Sequence, residues 1–301
     1  VKIVVVLNGV SWKKTLFYRQ ILPSLQSHFS VSVKETERAG HAEELASGAL
    51  TDAPDFLLAA GGDGTLNQVI NGVMKAGTRA LPTLGLIPLG SGNDFARSAN
   101  VSVDPEQLIS LLRANQPKLI DVGRAELLDE KGKPTVRFFI NVCSIGMGPE
   151  VVQRIAREQN LLGPGFTYFK GIVTTFLSLK AVPIDVTCSE GWEWKGKARA
   201  FAIANGKSFG HAVYIAPDAE LDDGVLNTFL ATDFPMWRFL WYLQTIKGGK
   251  KVTDPNILYK IGKTFKVESS ETLPVEAEGE LIGFTPLNCT IDKQRIRFLC
   301  R

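Results

Sequence analysis

An α/β amino-terminal domain with a parallel sheet, followed by a mainly β, sandwich-like second domain, is the fold class that the sequence predicts. Three observations predict it. Up to about Asp121, apolar or β-branched runs alternate with helix-like stretches, as βαβ crossovers require. Two glycine loops, one at Gly61 and one at Gly90, each follow an apolar run and open a helix. Beyond Asp121, short apolar runs are bounded by Gly, Asp, Asn or Pro, the punctuation of antiparallel strands.

The elements follow in order. Ile3 to Leu7 is a β-branched run and reads as a strand, Thr15 to Ser27 as a helix, and Val31 to Lys34 as a strand. Next come a helix at His41 to Ser47, a strand at Phe56 to Ala60, a helix at Leu66 to Lys75, a strand at Leu84 to Leu89, and helices around Phe95 and Leu108. The second half carries strand-like runs at Val136 to Cys143, Ile184 to Cys188, Ala198 to Ala204, Val225 to Leu230, Thr264 to Val267, Leu287 to Ile291 and Ile296 to Leu299. Two helical insertions interrupt it, near Pro149 to Lys180 and Pro235 to Lys247. The domains are therefore expected at residues 1–121 and 122–301, with the last residues packing on the first domain and a soft boundary near 118–125.

Composition narrows the function classes. A chain of 301 residues exceeds the usual size of one hydrophobic core, and 45% hydrophobic with 22% charged residues is ordinary for a globular protein. A net charge of +3 gives no dense basic stripe, so no nucleic-acid partner is expected. Cys143, Cys188, Cys289 and Cys300 are scattered without a CxxC pair, which argues against a disulfide scaffold or structural zinc and for a reducing, cytoplasmic setting. No apolar run approaches about 18 residues, so no integral membrane segment is expected.

The glycine loops carry the chemistry. Gly61, Gly62, Asp63, Gly64 and Thr65 let the backbone turn sharply and approach a ligand, with Thr65 a candidate cap for the following helix and its free N–H groups suited to phosphate. Asp63 would repel phosphate unless a cation or backbone donors offset its charge. The loop Pro88 to Asp94 repeats the arrangement, with Asn93 or Asp94 as N-cap, and both loops would open on one crevice. Neither has the Lys of a P-loop or the spacing of the dinucleotide fingerprint.

The strings GGDGTLNQVINGV and PLGSGNDFAR resemble the diacylglycerol kinase catalytic domain family, especially the bacterial soluble lipid kinases related to sphingosine and ceramide kinases. Asn8 and Gly9, the run Asn141 to Gly148, the pair Asn205 and Gly206, the segment Ala216 to Leu226, and Glu278, Gly279, Glu280 fall in that family's order. NAD kinases and phosphofructokinases share GGDGT, but Asn67, Val69, Asn71 and Gly72 follow the lipid-kinase continuation. The Pro usual after Asn8 is absent.

The resemblance implies ATP contacts from Asn8, Gly9, Val10, Ser11, Trp12, Thr36, Gly61, Gly62, Asp63, Gly64, Thr65, Leu66, Asn67 and Ser91, with the nucleotide held between domains. It implies a Mg²⁺ site at the Asp223 carboxylate and the carbonyls of Glu220 and Val225, oxygen donors that suit a hard ion. An Asp-Gly turn is the structural alternative for that loop. The late motif is normally Asp-Gly-Glu, its Glu the general base; here that is Glu280, with Glu278 replacing the Asp. Glu276, Glu278 and Glu280 have the spacing of one strand face unless Gly279 turns the chain. Arg97 and Lys170 could reach phosphate or simply face solvent, and stay outside the catalytic set.

The expected function is therefore transfer of the γ-phosphoryl group of Mg-ATP to a lipid hydroxyl, diacylglycerol or a relative, in phospholipid metabolism. A NAD kinase-type reaction on a soluble acceptor and an inactive nucleotide or lipid sensor are the alternatives. The aromatic segment Phe234 to Leu243 with Lys247, Lys250 and Lys251 either covers the sandwich or meets a membrane at which the lipid is presented, giving peripheral association. Homodimerisation is left open.

Overall fold

The computed structural model describes residues 1–77, 81–157 and 164–300. The chain divides into two compact units, Val1–Ile120 with Gln294–Arg301, and Asp121–Lys293.

In the first unit, β1 (Lys2–Leu7), β2 (Ser30–Glu35), β3 (Phe56–Gly61) and β4 (Thr83–Pro88) lie parallel in the order β2-β1-β3-β4. Phe298, from the far end of the chain, pairs in parallel with Leu84. β3 and β4 are buried at every position, which explains their unbroken apolar runs: helices cover both faces of a parallel sheet. The chain steps from β1 outward to β2, then returns to the opposite side of β1 as β3. The carboxyl ends of β1 and β3 thus flank a topological switch point, where such sheets open a crevice for ligands.

The helices of this unit are α1 (Lys14–Leu16) and α2 (Leu22–Gln26) on either side of a π-helical Phe17–Ile21, α3 (His41–Ala49), α4 (Asp63–Lys75), α5 (Asp94–Ser98) and α6 (Pro105–Ala114). α6 starts as its sequence dictates: the Asp104 side chain accepts the Glu106 N–H at 3.1 Å, and Pro105 follows in the first turn. α4 begins three residues earlier than the apolar pattern indicates. Its N-cap is extended Gly62, so Thr65 sits within the first turn and does not cap the helix.

The second unit is antiparallel and contains β5 (Lys118–Leu128), β6 (Pro134–Phe139), β7 (Val142–Gly146), α7 (Met147–Arg157), α8 (Pro164–Ser178), β8 (Val182–Cys188), β9 (Glu193–Ala198) and β10 (Ala200–Ala204). β11 (Leu226–Ala231), α9 (Met236–Lys247), β12 (Ile257–Gly262), β13 (Thr264–Glu268), β14 (Pro274–Ala277) and β15 (Glu280–Phe298) complete it. One ladder runs β12-β11-β10-β7-β14-β15; β15 also pairs with β13, which leads to β8 and β9, and with β5, which leads to β6. At 19 residues, β15 is long enough to serve both layers. Phe139, Phe201, Phe265, Val275 and Leu287 fill the space between them. The opposite face of the first ladder, including Val142, Ala202 and Phe229, is covered by α7, α8 and α9 through Val151, Ile172, Phe176 and Phe239.

Several expected elements are redrawn. The run Val136 to Cys143 breaks at Ile140 and Asn141 into β6 and β7, while Leu287 to Ile291 and Ile296 to Leu299 merge in β15. The intervening Asp292, Lys293 and Arg295 interrupt apolarity without interrupting backbone pairing. β9 shows no apolar run because its residues alternate between exposed and half-buried. Residues 158–163 of the predicted helical insertion lie outside the described residues.

Phe298 is fully buried and meets Phe95 edge-on, ring centroids 5.1 Å apart. Phe298→Ala should therefore lower stability by about 3–5 kcal/mol, read as a reduced midpoint in urea denaturation.

Candidate active site

In the first unit three loops meet at the carboxyl ends of β1, β3 and β4. After β1, the Asn8 N–H donates to the Ala60 carbonyl at 2.9 Å and its amide Nδ2 to Thr65 Oγ1 at 3.2 Å. The Gly9 N–H donates to Thr36 Oγ1 at 3.0 Å, and a Cβ on Gly9 would stand 2.1 Å from the Thr36 carbonyl oxygen. Asn8, Gly9, Thr36 and Thr65 are thus linked directly. The two glycine loops join through the Gly61 carbonyl, which accepts the N–H groups of Leu89 and Gly90 at 2.9 and 3.2 Å. Ser11 Oγ donates to the Leu89 carbonyl and Lys13 Nζ to the Gly90 carbonyl, both at 3.4 Å.

The charge of Asp63 within the glycine loop is answered by backbone donors. Its two oxygens accept the N–H groups of Asp94 and Phe95, each at 3.0 Å, so its charge is directed at the opening turn of α5. Desolvation pushes the Asp63 carboxyl up, and the two amides draw it partly back. The first α4 hydrogen bond runs from Leu66 N–H to the Gly62 carbonyl, leaving the preceding N–H groups without an intrahelical acceptor. These donors can receive an anion.

The remaining predicted contacts differ in exposure. Val10, Trp12 and Ser91 are exposed, whereas the side chains of Leu66 and Asn67 are buried; Asn67 Oδ1 accepts from Asn71 Nδ2. Leu66 and Asn67 therefore offer no side-chain face to a ligand. Asn93 is the N-cap of α5 in a left-handed conformation, but its Nδ2 turns back to the Gly90 carbonyl at 3.0 Å instead of capping. Arg97 donates to Asp94 Oδ1 at 2.7 Å, and Lys170 is exposed on α8.

In the second unit the three late glutamates do not share a face. Ala277 pairs with Glu280 across a two-residue turn in which Glu278 and Gly279 have φ of 55° and 83°, the type that asks for positive φ at both positions. Glu in that conformation is disfavoured, and its longer side chain supplies the offset: Glu278 Oε1 accepts the N–H groups of Ile140 and Asn141 at 3.0 and 2.6 Å. The corner between β6 and β7 is thereby fastened to the turn that presents Glu280, which is itself exposed. Behind it, Asn205 Nδ2 donates to the carbonyls of Ile140 and Asp121 at 3.0 and 3.2 Å.

Glu276 is 1% exposed; its Oε1 accepts from Ser144 Oγ at 2.6 Å and its Oε2 from the Gly279 N–H at 3.1 Å. Burial pushes its carboxyl up to about 7, against the downward pull of these two donors. Ser144 borders a largely apolar cavity of about 80 Å³ between the sheet and the helices, walled by Ile172, Phe176, Phe229, Phe239 and Leu243, with Arg199 also in its lining.

The acidic loop is closed by backbone contacts. Asp223 Oδ1 accepts the Val225 N–H at 3.0 Å, and buried Asp121 accepts the Gly224 N–H at 2.6 Å. Burial raises the Asp223 pKa, the Val225 N–H lowers it, and Asp121, Glu220 and Asp222 raise it further. Among the described residues no three His, Cys, Asp or Glu side chains converge as a metal cage. One carboxylate with the Glu220 and Val225 carbonyls is nonetheless an all-oxygen donor set, compatible with a hard cation, and a cation would relieve the repulsion around Asp223.

Residues 2–125 match the diacylglycerol kinase catalytic domain, and residues 141–300 match the YegS C-terminal NAD kinase beta sandwich-like domain. The chain belongs to the diacylglycerol kinase catalytic domain family. A diacylglycerol kinase of Staphylococcus saprophyticus is 29% identical over 298 residues, covering 97% of this chain and 93% of the relative. A diacylglycerol kinase of Staphylococcus carnosus is 26% identical over 299 residues, covering 97% and 92%. Among solved structures, a diacylglycerol kinase from Bacillus anthracis superposes with a TM-score of 0.73 at 21% identity, covering 100% of this chain and 97% of that one. Yeast NADH kinase, solved with NADH, superposes with a TM-score of 0.57 at 11% identity, covering 99% and 82%. The fold is thus the one shared by diacylglycerol and NAD kinases, and family membership supports a phosphotransferase of the lipid-kinase type. No helix among the described residues is long and apolar enough to cross a membrane.

Ser144 and Asp121 had no distinguishing signal in the sequence as site residues, and Glu276 stood out only by its spacing from Glu278 and Glu280. Ser144 lay inside the family-ordered run Asn141 to Gly148, while a buried Glu276 on a strand reads locally as one more charged residue.

Two outcomes follow. The unfolded Glu276 carboxyl titrates near 4.5 and the folded one near 7, so its share of stability is intact below pH 4.5 and is lost as pH rises toward 7, about 3 kcal/mol in all. Denaturation of Glu276→Gln and the parent from pH 4.5 to 8 should show the variant gaining relative stability as pH increases. A Cβ at Gly90 would lie 2.5 Å from Gly62 Cα, so Gly90→Ala should cost about 1–3 kcal/mol, visible as a lower Tm in calorimetry.

Proposed function

We propose that this protein transfers the γ-phosphoryl group of Mg-ATP to a hydroxyl of diacylglycerol or a related lipid. The observation that carries this reading is the apolar cavity of the second unit, bordered by Ser144, whose partner Glu276 also grips the turn bearing the family's base position, Glu280. A lipid acceptor needs such an apolar approach, whereas a soluble dinucleotide acceptor would need charged and hydrogen-bonding walls.

In this assignment the first unit binds nucleotide: the N–H groups opening α4 receive phosphate oxygens, and Asn8, Gly9, Thr36 and Thr65 hold the loops that aim them. Asp223 with the Glu220 and Val225 carbonyls would hold Mg²⁺. Bound Mg-ATP supplies the transferable phosphoryl group and neutralises its charge. Glu280 accepts the proton of the acceptor hydroxyl as transfer proceeds. The setting is cytoplasmic, with the lipid presented at a membrane surface for phospholipid metabolism.

Radiolabel transfer from ATP into a panel of diacylglycerol, phosphatidylglycerol and sphingoid acceptors, with NAD as the soluble comparison, tests the reading. Label should enter a lipid and not NAD. Label in NAD alone, or in no acceptor while ATP still binds, would overturn it. Glu280→Ala should lower transfer by about 10²–10⁴-fold with ATP binding retained; undiminished turnover would remove Glu280 from its role.

A further inference from the structure

We propose that the outward faces of α8 and α9 form a docking surface for an anionic lipid bilayer, with Trp237, Leu240 and Trp241 entering its interface. This extends the lipid-kinase reading to how the acceptor is reached. α9 has two apolar faces. Phe239, Tyr242, Leu243 and Ile246 turn inward and wall the cavity, whereas Trp237, Leu240 and Trp241 are 66%, 43% and 54% exposed. A helix that only covered a sandwich would place polar residues on that outer stripe.

α8 continues the surface. It packs antiparallel to α9: Phe176 stacks on Phe239 with centroids 4.1 Å apart, while at the other end Lys247 Nζ lies 5.7 Å from the Phe169 ring centroid. Phe169 and Leu177 are 40% and 68% exposed. Exposed apolar groups of this size, gathered on two adjacent helices, mark an interaction surface.

Charge selects the occupant. Neither helix contains Asp or Glu, and together they carry Lys170, Arg238 and Lys247, with Lys250 and Lys251 just beyond. Asp254 faces Arg238 at 3.6 Å, and Asp218 pairs with Lys251, so part of this charge is already answered within the fold. The combination of tryptophans at interfacial depth with lysines at the helix end fits anionic headgroups above an acyl layer. Because the inner faces of these helices wall the cavity, docking leaves a single helix layer between bilayer and cavity.

The test uses the full chain and vesicles of phosphatidylcholine alone or mixed with phosphatidylserine, without ATP or diacylglycerol, so its outcome does not depend on the kinase assignment. Cosedimentation should be strong on the anionic vesicles, weaken with salt, and fall at least tenfold in Trp237→Ala/Trp241→Ala and in Lys247→Glu/Lys250→Glu, with unchanged melting curves. Trp12→Ala, in the other unit, should bind as the parent does. In the parent, phosphatidylserine with brominated acyl chains should quench tryptophan fluorescence, an arm that requires no variant. Absence of quenching, or parental binding by the tryptophan double variant, would overturn the proposal. So would light scattering that shows a dimer which this variant dissociates while no vesicles are bound, since the face would then belong to a second copy.

Discussion

The two glycine loops of the first unit are held by one carboxylate and one carbonyl, and the shape of the crevice at the strand ends depends on them. The Gly61 carbonyl accepts the amides of Leu89 and Gly90, while Asp63 accepts the amides of Asp94 and Phe95. At Gly62 and Gly90 the backbones approach so closely that a side chain on the latter has no room. Since the two loops leave neighbouring parallel strands, fixing one relative to the other aligns the free amides at the start of α4 with the crevice beside β1. The acidic residue that seemed incompatible with phosphate is the brace, its charge compensated by backbone donors.

The second unit solves a related problem with a different device. A strained two-residue turn presents Glu280, and the neighbouring glutamates secure the turn from both sides: Glu278 through the amides of Ile140 and Asn141, Glu276 through Gly279 and Ser144. The Glu for Asp replacement at 278 keeps a carboxylate where the corner of β6 and β7 needs an acceptor. A buried carboxyl such as Glu276 is costly when ionised, and its two donors, Ser144 and the Gly279 N–H, offset part of that cost.

Much of this was legible in the chain itself. Continuous apolar runs at β3 and β4, each followed by Gly-rich turns, could belong only to buried strands feeding helices, and the order of motifs pointed to the family. The helix at Asp63 was less legible because glycine at its N-cap gives no side-chain signal. β9 was missed since its buried positions carry no apolar run, and the merged β15 was hidden by a charged stretch whose backbone still pairs. The aromatic segment at Phe234 to Leu243 was ambiguous for a physical reason: its residues serve both faces of one helix.

By itself, then, the sequence determined the two-domain class, the placement of glycine loops after strands and the chemical character of the proposed base and metal donors, because these rest on local conformation and residue type. Tertiary structure decided which carboxylates are braces and which face solvent. It turned Asp63 toward α5, buried Glu276 behind Ser144, and put Glu278 in the turn that separates Glu280 from Glu276. It also formed the apolar cavity, whose walls come from strands and helices far apart in the chain. Burial and hydrogen-bond partnership arise from contacts between distant residues, and no local pattern encodes them.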